Sequence, residues 1–200
     1  MKTISILPVW LRMRRTAARM LADRSGIAAT EFAVIVPVML VMFFGTVEFS
    51  SGVAVDRKVT LMARTLSDLT SQSTSVNDTD LTGFFAASKG IMTPYSPTPT
   101  LSTISELYVV PGSLVVKVMW SRGSAPRAQG STITIPTELK VSGTYLIFSE
   151  VSYRYVPAVG KVMAPAGVDL KDVAYTRPRQ STCVIYPTPS SGSLPACPTS

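Results

Sequence analysis

An α+β fold is predicted: one long N-terminal helix, apolar in its first half and amphipathic in its second, followed by an antiparallel β-sheet domain. Three observations predict it. Phe32 to Val47 run 16 residues without a charge. Val55, Val59, Met62, Leu66 and Leu69 then recur at helical spacing. Beyond residue 100 the chain turns to short segments rich in β-branched and aromatic residues, separated by turn signals.

The uncharged run sets the first element. Adding Ile27 to Thr30 gives about 20 residues, interrupted only by Glu31, and at roughly 1.5 Å per residue these cross a ~30 Å hydrocarbon core. Backbone in lipid must satisfy its own hydrogen bonds, so the segment is expected to be helical, with Pro37 kinking it or loosening one turn. It is longer than the apolar core of about 7–15 residues in a cleaved secretory signal, and Glu48-Phe49-Ser50-Ser51-Gly52 beyond it holds no clear small-x-small cleavage site. Charge sets its orientation. Of the net +7, +5 lies before residue 27, where Lys2, Arg12, Arg14, Arg15, Arg19 and Arg24 face the single acid Asp23. The positive-inside rule therefore keeps the N-terminus cytoplasmic and puts residues 48–200 across the membrane.

The apolar stripe continues the helix, from Ile27 to about Leu69, roughly 43 residues and ~65 Å long. Asp56, Arg57, Lys58, Arg64 and Asp68 take the other faces. Thr70 to Asp80 reads as a polar loop in which Asp78 and Asp80 are solvated, and Leu81 to Met92 as a short helix ending near Gly90. Strands are expected at Glu106–Val110, Leu114–Trp120, Ser131–Ile135 and Tyr145–Tyr155, with Pro111-Gly112 turning the first pair into a hairpin. The organisation expected is a basic leader (1–26), a membrane helix (27–47), its amphipathic continuation (48–69), an α+β domain (70–180) and a Pro/Ser-rich tail (181–200).

Composition narrows the chemistry. At 46% hydrophobic and 16% charged, the 200-residue chain is not of the disordered class. It has no histidine, which excludes His-based triads and His-ligated metal sites. No catalytic constellation frames the remaining carboxylates and serines, so neither an enzyme nor a cofactor is expected. The leader's basicity comes without basic–aromatic interleaving, and nucleic acid is not an expected partner. Cys183 and Cys197 both follow the span, and as an even pair in a Pro/Ser/Gly-rich stretch they are expected to close a disulfide loop stabilising by roughly 3 kcal/mol.

Glu31 is the residue that composition leaves unexplained, since a carboxylate at the edge of an apolar span needs a partner. It follows Gly26 by five positions in RSGIAATEF, behind a basic leader. This arrangement resembles the processing signal of type IV pilins and pseudopilins. In that family a membrane aspartyl peptidase cuts after the glycine, and the fifth residue of the mature chain is a glutamate. The resemblance makes Gly26 and Ile27 the scissile pair, and Glu31 the intramembrane counter-charge to a neighbouring subunit's new ammonium. More narrowly, GIAATEFAVIVPVMLVMFFGTVEF is similar to the TadE-like family of the tight-adherence (Tad/Flp) pilus system, through the A-A-T-E-F start, Pro37, Gly45 and Glu48-Phe49. Tyr175-Thr176-Arg177-Pro178-Arg179 resembles the close of such domains, although the residues themselves read as a solvated basic turn. The resemblance implies a pilin-like fold and a minor pilin-like subunit in the bacterial inner membrane with a periplasmic domain. Its implied partners are other pilin-like subunits, the prepilin peptidase, inner-membrane platform proteins and the membrane. The other reading is an unprocessed, single-span anchored interaction module.

Overall fold

The computed structural model describes residues 13–14, 16–19, 25–98, 100–157, 167–188 and 196–198; most of the expected leader lies outside them. The chain forms two compact units, Met1–Val47 and Glu48–Ser200. Helix α1 (Ser25–Ser71) is followed by α2 (Asp78–Gly90), β1 (Thr100–Val109), β2 (Val116–Gly123), a 3-10 turn (Thr137–Leu139), β3 (Tyr145–Tyr155) and β4 (Val168–Thr176). The four strands make one antiparallel sheet in the order β2-β1-β3-β4. The α+β class is as the sequence predicts.

α1 is unbroken through Pro37. From Val55 onward its expected stripe is buried at Val55, Val59, Met62 and Leu66, with Leu69 half-buried. Small residues beside the stripe bring the sheet close: Ser149 Oγ donates to the Ala63 carbonyl at 2.6 Å, and Ser67 Oγ lies 2.6 Å from Thr176 Oγ1. Val55, Val59, Met62 and Ala63 pack with Met92, Val151 and Tyr153. Leu66 packs with Leu81, Ile104, Trp120 and Ile147. The sheet's opposite face buries Leu107, Val109, Val116, Val118, Leu146 and Phe148 under Ile135.

Several boundaries differ from the sequence reading, each for a local reason. α1 runs to Ser71, where the Thr70 and Ser71 hydroxyls bond back to the Leu66 and Asp68 carbonyls. α2 starts within the expected loop because Asn77 and Asp80 form a reciprocal capping box, so Asp80 is a capping residue and Asp78 opens the helix. Asp78 accepts from Tyr186 Oη at 2.7 Å and pairs with Arg122 at 3.5 Å. β1 begins six residues before its expected start, at Thr100. The β1–β2 hairpin forms around a wider loop than Pro111-Gly112 alone, closed by Val110 N–H to Val115 O at 2.9 Å, with Gly112 at φ +80°. Ser131–Ile135 is not a strand. Only the bridge Lys117–Thr132 forms there, and the chain turns at Pro136 to fold Ile135 into the core. The fourth strand is instead Val168–Thr176.

The stretch after Arg179 is more than a tail. Cys183, Val184 and Ile185 are buried, and Cys183 is bonded to Cys197. Ile185 N–H donates to Thr74 O at 3.1 Å, and Val76 N–H donates to Ile185 O at 2.9 Å. Trp120 Nε1 donates to Val184 O at 2.8 Å, while Val184 N–H donates to Glu106 Oε1 at 2.6 Å. Glu106 is fully buried on β1, and its Oε2 has no hydrogen-bond partner among the described residues. Burial pushes this carboxyl up from 4.5 to about 8, against the opposing pull of the Val184 amide and the neighbouring Trp120 indole.

The sign of the resulting pH dependence follows. Between pH 4.5 and about 8 the unfolded chain gives up this proton while the folded domain keeps it, so folding stability from this group falls as pH rises through that window. Chemical denaturation of Glu106→Gln should show a shallower decline than the parent protein across the same window. An identical decline in both would exclude Glu106 as its source.

Candidate functional site: the exposed apolar helix and its first turn

From Gly26 to Val47 every side chain of α1 is exposed except Val36, which is half-buried. Phe32, Val34, Ile35, Val38, Met39 and Leu40 are each at least 49% exposed, and the apolar run continues through Phe44. Successive residues of a helix point 100° apart, so this run clothes the full circumference with apolar surface. A helix of that kind is stable in an apolar medium or among other such helices. This is the one helix among the described residues long and apolar enough to cross a membrane. Its two threonines are satisfied locally: Thr30 Oγ1 donates to Ile27 O and Thr46 Oγ1 to Met42 O, each at 2.8 Å.

The three residues marked at its start lie together. Gly26 is the second residue of α1, Ile27 the third, and Glu31 stands one turn on, at i+4 from Ile27 and on the same helix face. Among the described residues a Cβ at Gly26 would meet nothing within 4 Å, and Gly26 is not among the residues of positive φ. Neither the described neighbours nor the backbone conformation therefore requires glycine here. The first turn holds no acidic side chain. Glu31 is exposed and makes no ion pair among the described residues. A cut after Gly26 would put an ammonium at Ile27, about 6 Å along the axis from Glu31 by the helical rise.

The structure places the other marked residues elsewhere. Cys183 and Cys197 are joined at the domain core, beside Val184. Tyr175 and Thr176 of the basic close end β4, where Tyr175 stacks on Phe148 with ring centroids 4.7 Å apart, so that part is packed strand rather than solvated turn. Arg179 pairs with Asp68 at 2.5 Å. Glu106 carried no sequence signal beyond being an acid among apolar residues in ELYVV.

Residues 26–66 match the model of the TadE-like protein family. The match opens on Gly26 and takes in Ile27, Glu31, the uncharged run and the stripe to Leu66, so the resemblance seen in the sequence is shown for this segment. No curated protein and no solved structure matches the chain.

With no described residue within 4 Å of its Cβ, Gly26→Ala should leave the fold intact and, by helix propensity, firm the first turn by up to about 1 kcal/mol. Circular dichroism of the purified variant checks this. A loss of helix or of domain stability would mean that the glycine has a packing role.

Proposed function

We propose that this chain, through its TadE-like segment, is a minor pilin-like subunit of a Tad-type pilus assembly system, anchored in the inner membrane with its α+β domain in the periplasm. The proposed route is cleavage by a prepilin peptidase between Gly26 and Ile27, followed by packing of Phe32–Val47 against the helices of other pilin-like subunits. The observation that carries this reading is Glu31, an acid without an ion-pair partner among the described residues on a helix otherwise dressed in exposed apolar side chains. Burying that carboxylate alone costs several kcal/mol in lipid, whereas an ammonium presented by a sister chain offsets the cost. The role is structural, with no catalysis and no cofactor. Platform proteins of the membrane are the further partners proposed.

N-terminal sequencing of membrane-purified protein, with and without the prepilin peptidase, tests the route. The expected mature residue is Ile27 when the peptidase is present and the intact leader when it is absent. An intact Met1 in cells that are making pili would instead support the single-span, unprocessed interaction module.

Glu31→Ala separates insertion from assembly. Removing a charge eases insertion, so membrane-extracted amounts should hold or rise while assembly drops. Normal pilus formation by the variant would exclude the counter-charge role.

A further inference from the structure

The two ends of the sheet are treated differently. Along β2, residues 130–133 lie against the outer edge: Gly130 N–H donates to Val118 O at 2.7 Å, Val118 N–H to Ser131 O at 2.9 Å, and Ile133 N–H to Val116 O at 3.0 Å. β4 pairs with β3 alone, and no other strand meets its far edge among the described residues. One β4 amide is occupied, since Val173 N–H donates to Asp172 Oδ1 at 2.7 Å. Asp172 also accepts from Thr60 Oγ1 of α1. Val168 and Val173 remain 54% and 48% exposed on this edge. An open edge carrying exposed valines is a template for another strand.

Two cavities lie along the seam between β4 and α1, within the Glu48–Ser200 unit. The first, about 490 Å³, is walled mainly by apolar residues, Phe49, Gly52, Val53, Val168 and Leu170, with Glu48 and Asp56 also in its lining. The second, about 620 Å³, is walled by Arg64, Asp68, Leu69, Val173, Thr176 and Arg179. Gly52 and Arg64 are 12 residues apart on α1, or about 18 Å, which is the reach of five to six residues of extended chain. Arg179 is taken by Asp68, whereas Arg64 makes no ion pair among the described residues.

We propose that this seam is a docking groove for an extended segment of a different polypeptide, which adds to β4 as a fifth strand with apolar side chains at the Val168 end and a carboxylate on Arg64 at the Thr176 end. Backbone hydrogen bonds to the free edge supply the attachment, and the two unlike cavities supply direction. Charge and polarity argue against β4 of a second copy. Paired antiparallel, it would lay its Val168 end on Arg64 and its Thr176 end in the apolar cavity. Paired parallel, it would bring Arg177 and Arg179 to the basic end. Its own acids are also engaged, Asp169 with Arg154 at 3.8 Å and Asp172 with Thr60. The groove gives the assembly role proposed above a partner of stated chemistry.

The test uses the full-length protein in detergent micelles and fluorescein-labelled peptides of alternating Val and Thr that end in a Glu pair, read by anisotropy. The acidic peptide should bind, and a version ending in a Lys pair should bind about tenfold more weakly, as expected for one charge-assisted Arg–carboxylate contact. Arg64→Glu should invert the preference, and Arg64→Gln, which sets no like charge beside Asp68, should erase it without moving the melting temperature, since Arg64 makes no ion pair among the described residues. N-methylation of alternate peptide amides should abolish binding. Equal binding of the two peptides, or no binding of either, overturns the groove; binding that survives N-methylation overturns strand addition. A concentration-dependent dimer that the peptide dissolves would make a second copy the occupant and also overturn the proposal. The outcomes stay distinct from those of the processing experiment. A mature N-terminus at Ile27 without peptide binding defeats only the groove, and peptide binding by a chain that retains its leader defeats only the processing.

Discussion

The sheet is held to α1 through a seam of small side chains. Ser149 Oγ reaches the Ala63 carbonyl at 2.6 Å, a distance that needs helix backbone and strand backbone nearly in touch. Ala63 and Ser67, one turn apart, leave the room for it, and Ser67 and Thr176 continue the contact to β4. A helix surface this close to a sheet lets the larger residues on either side of the seam meet the strands. Val59 and Met62 thus pack with Val151, and Leu66 packs with Ile104 and Ile147. A bulkier residue at position 63 would lever the helix away and thin both clusters at once, because interiors at near-crystalline density do not yield locally.

The helix itself was the most legible element because its two halves obey simple and different rules. A charge-free run announces apolar surroundings, and a period of 3.6 announces one buried face. β1 to β3 were legible where Val, Ile, Tyr and Trp cluster, and less so at Thr100–Ser105, where serines and threonines are buried only because strands flank β1 on both sides. β4 escaped notice for a related reason. VDLKDVAYT alternates, but its charges Asp169, Lys171 and Asp172 weaken the hydrophobic signal, as befits an edge strand. Ser131–Ile135 has strand composition and finds only a few bonds along β2 before Pro136 turns it away. Of the candidate site, Glu31 stood out as an acid at the edge of an apolar span, and Gly26 and Ile27 through the resemblance to a pilin processing signal. That no described neighbour constrains Gly26 required coordinates.

Val184 and Ile185 show another limit of pattern reading. Two apolar residues amid prolines and serines make no periodic signal, yet they complete the core, and the Cys183–Cys197 bond fixes the chain where they insert. Their depth also explains the sidedness of the sheet. The face toward α1 is finished by chain that arrives last in sequence, so long-range closure, costly in chain entropy, is needed before the core is complete. The disulfide removes part of that cost from the unfolded state.

Two glutamates in apolar surroundings illustrate two ways of meeting one physical demand. Glu106 is served from within: the Val184 amide takes one oxygen, and burial holds the proton on the carboxyl up to a pH of about 8. Its place in the core is compatible with a monomeric domain. Glu31 stands on an exposed apolar helix with no ion-pair partner among the described residues, and the hydroxyl of the adjacent Thr30 donates to the Ile27 carbonyl. A carboxyl with an internal solution tells us about folding. One without such a solution directs attention to another chain, and that contrast is the physical basis of the proposal that α1 is an assembly surface as well as an anchor.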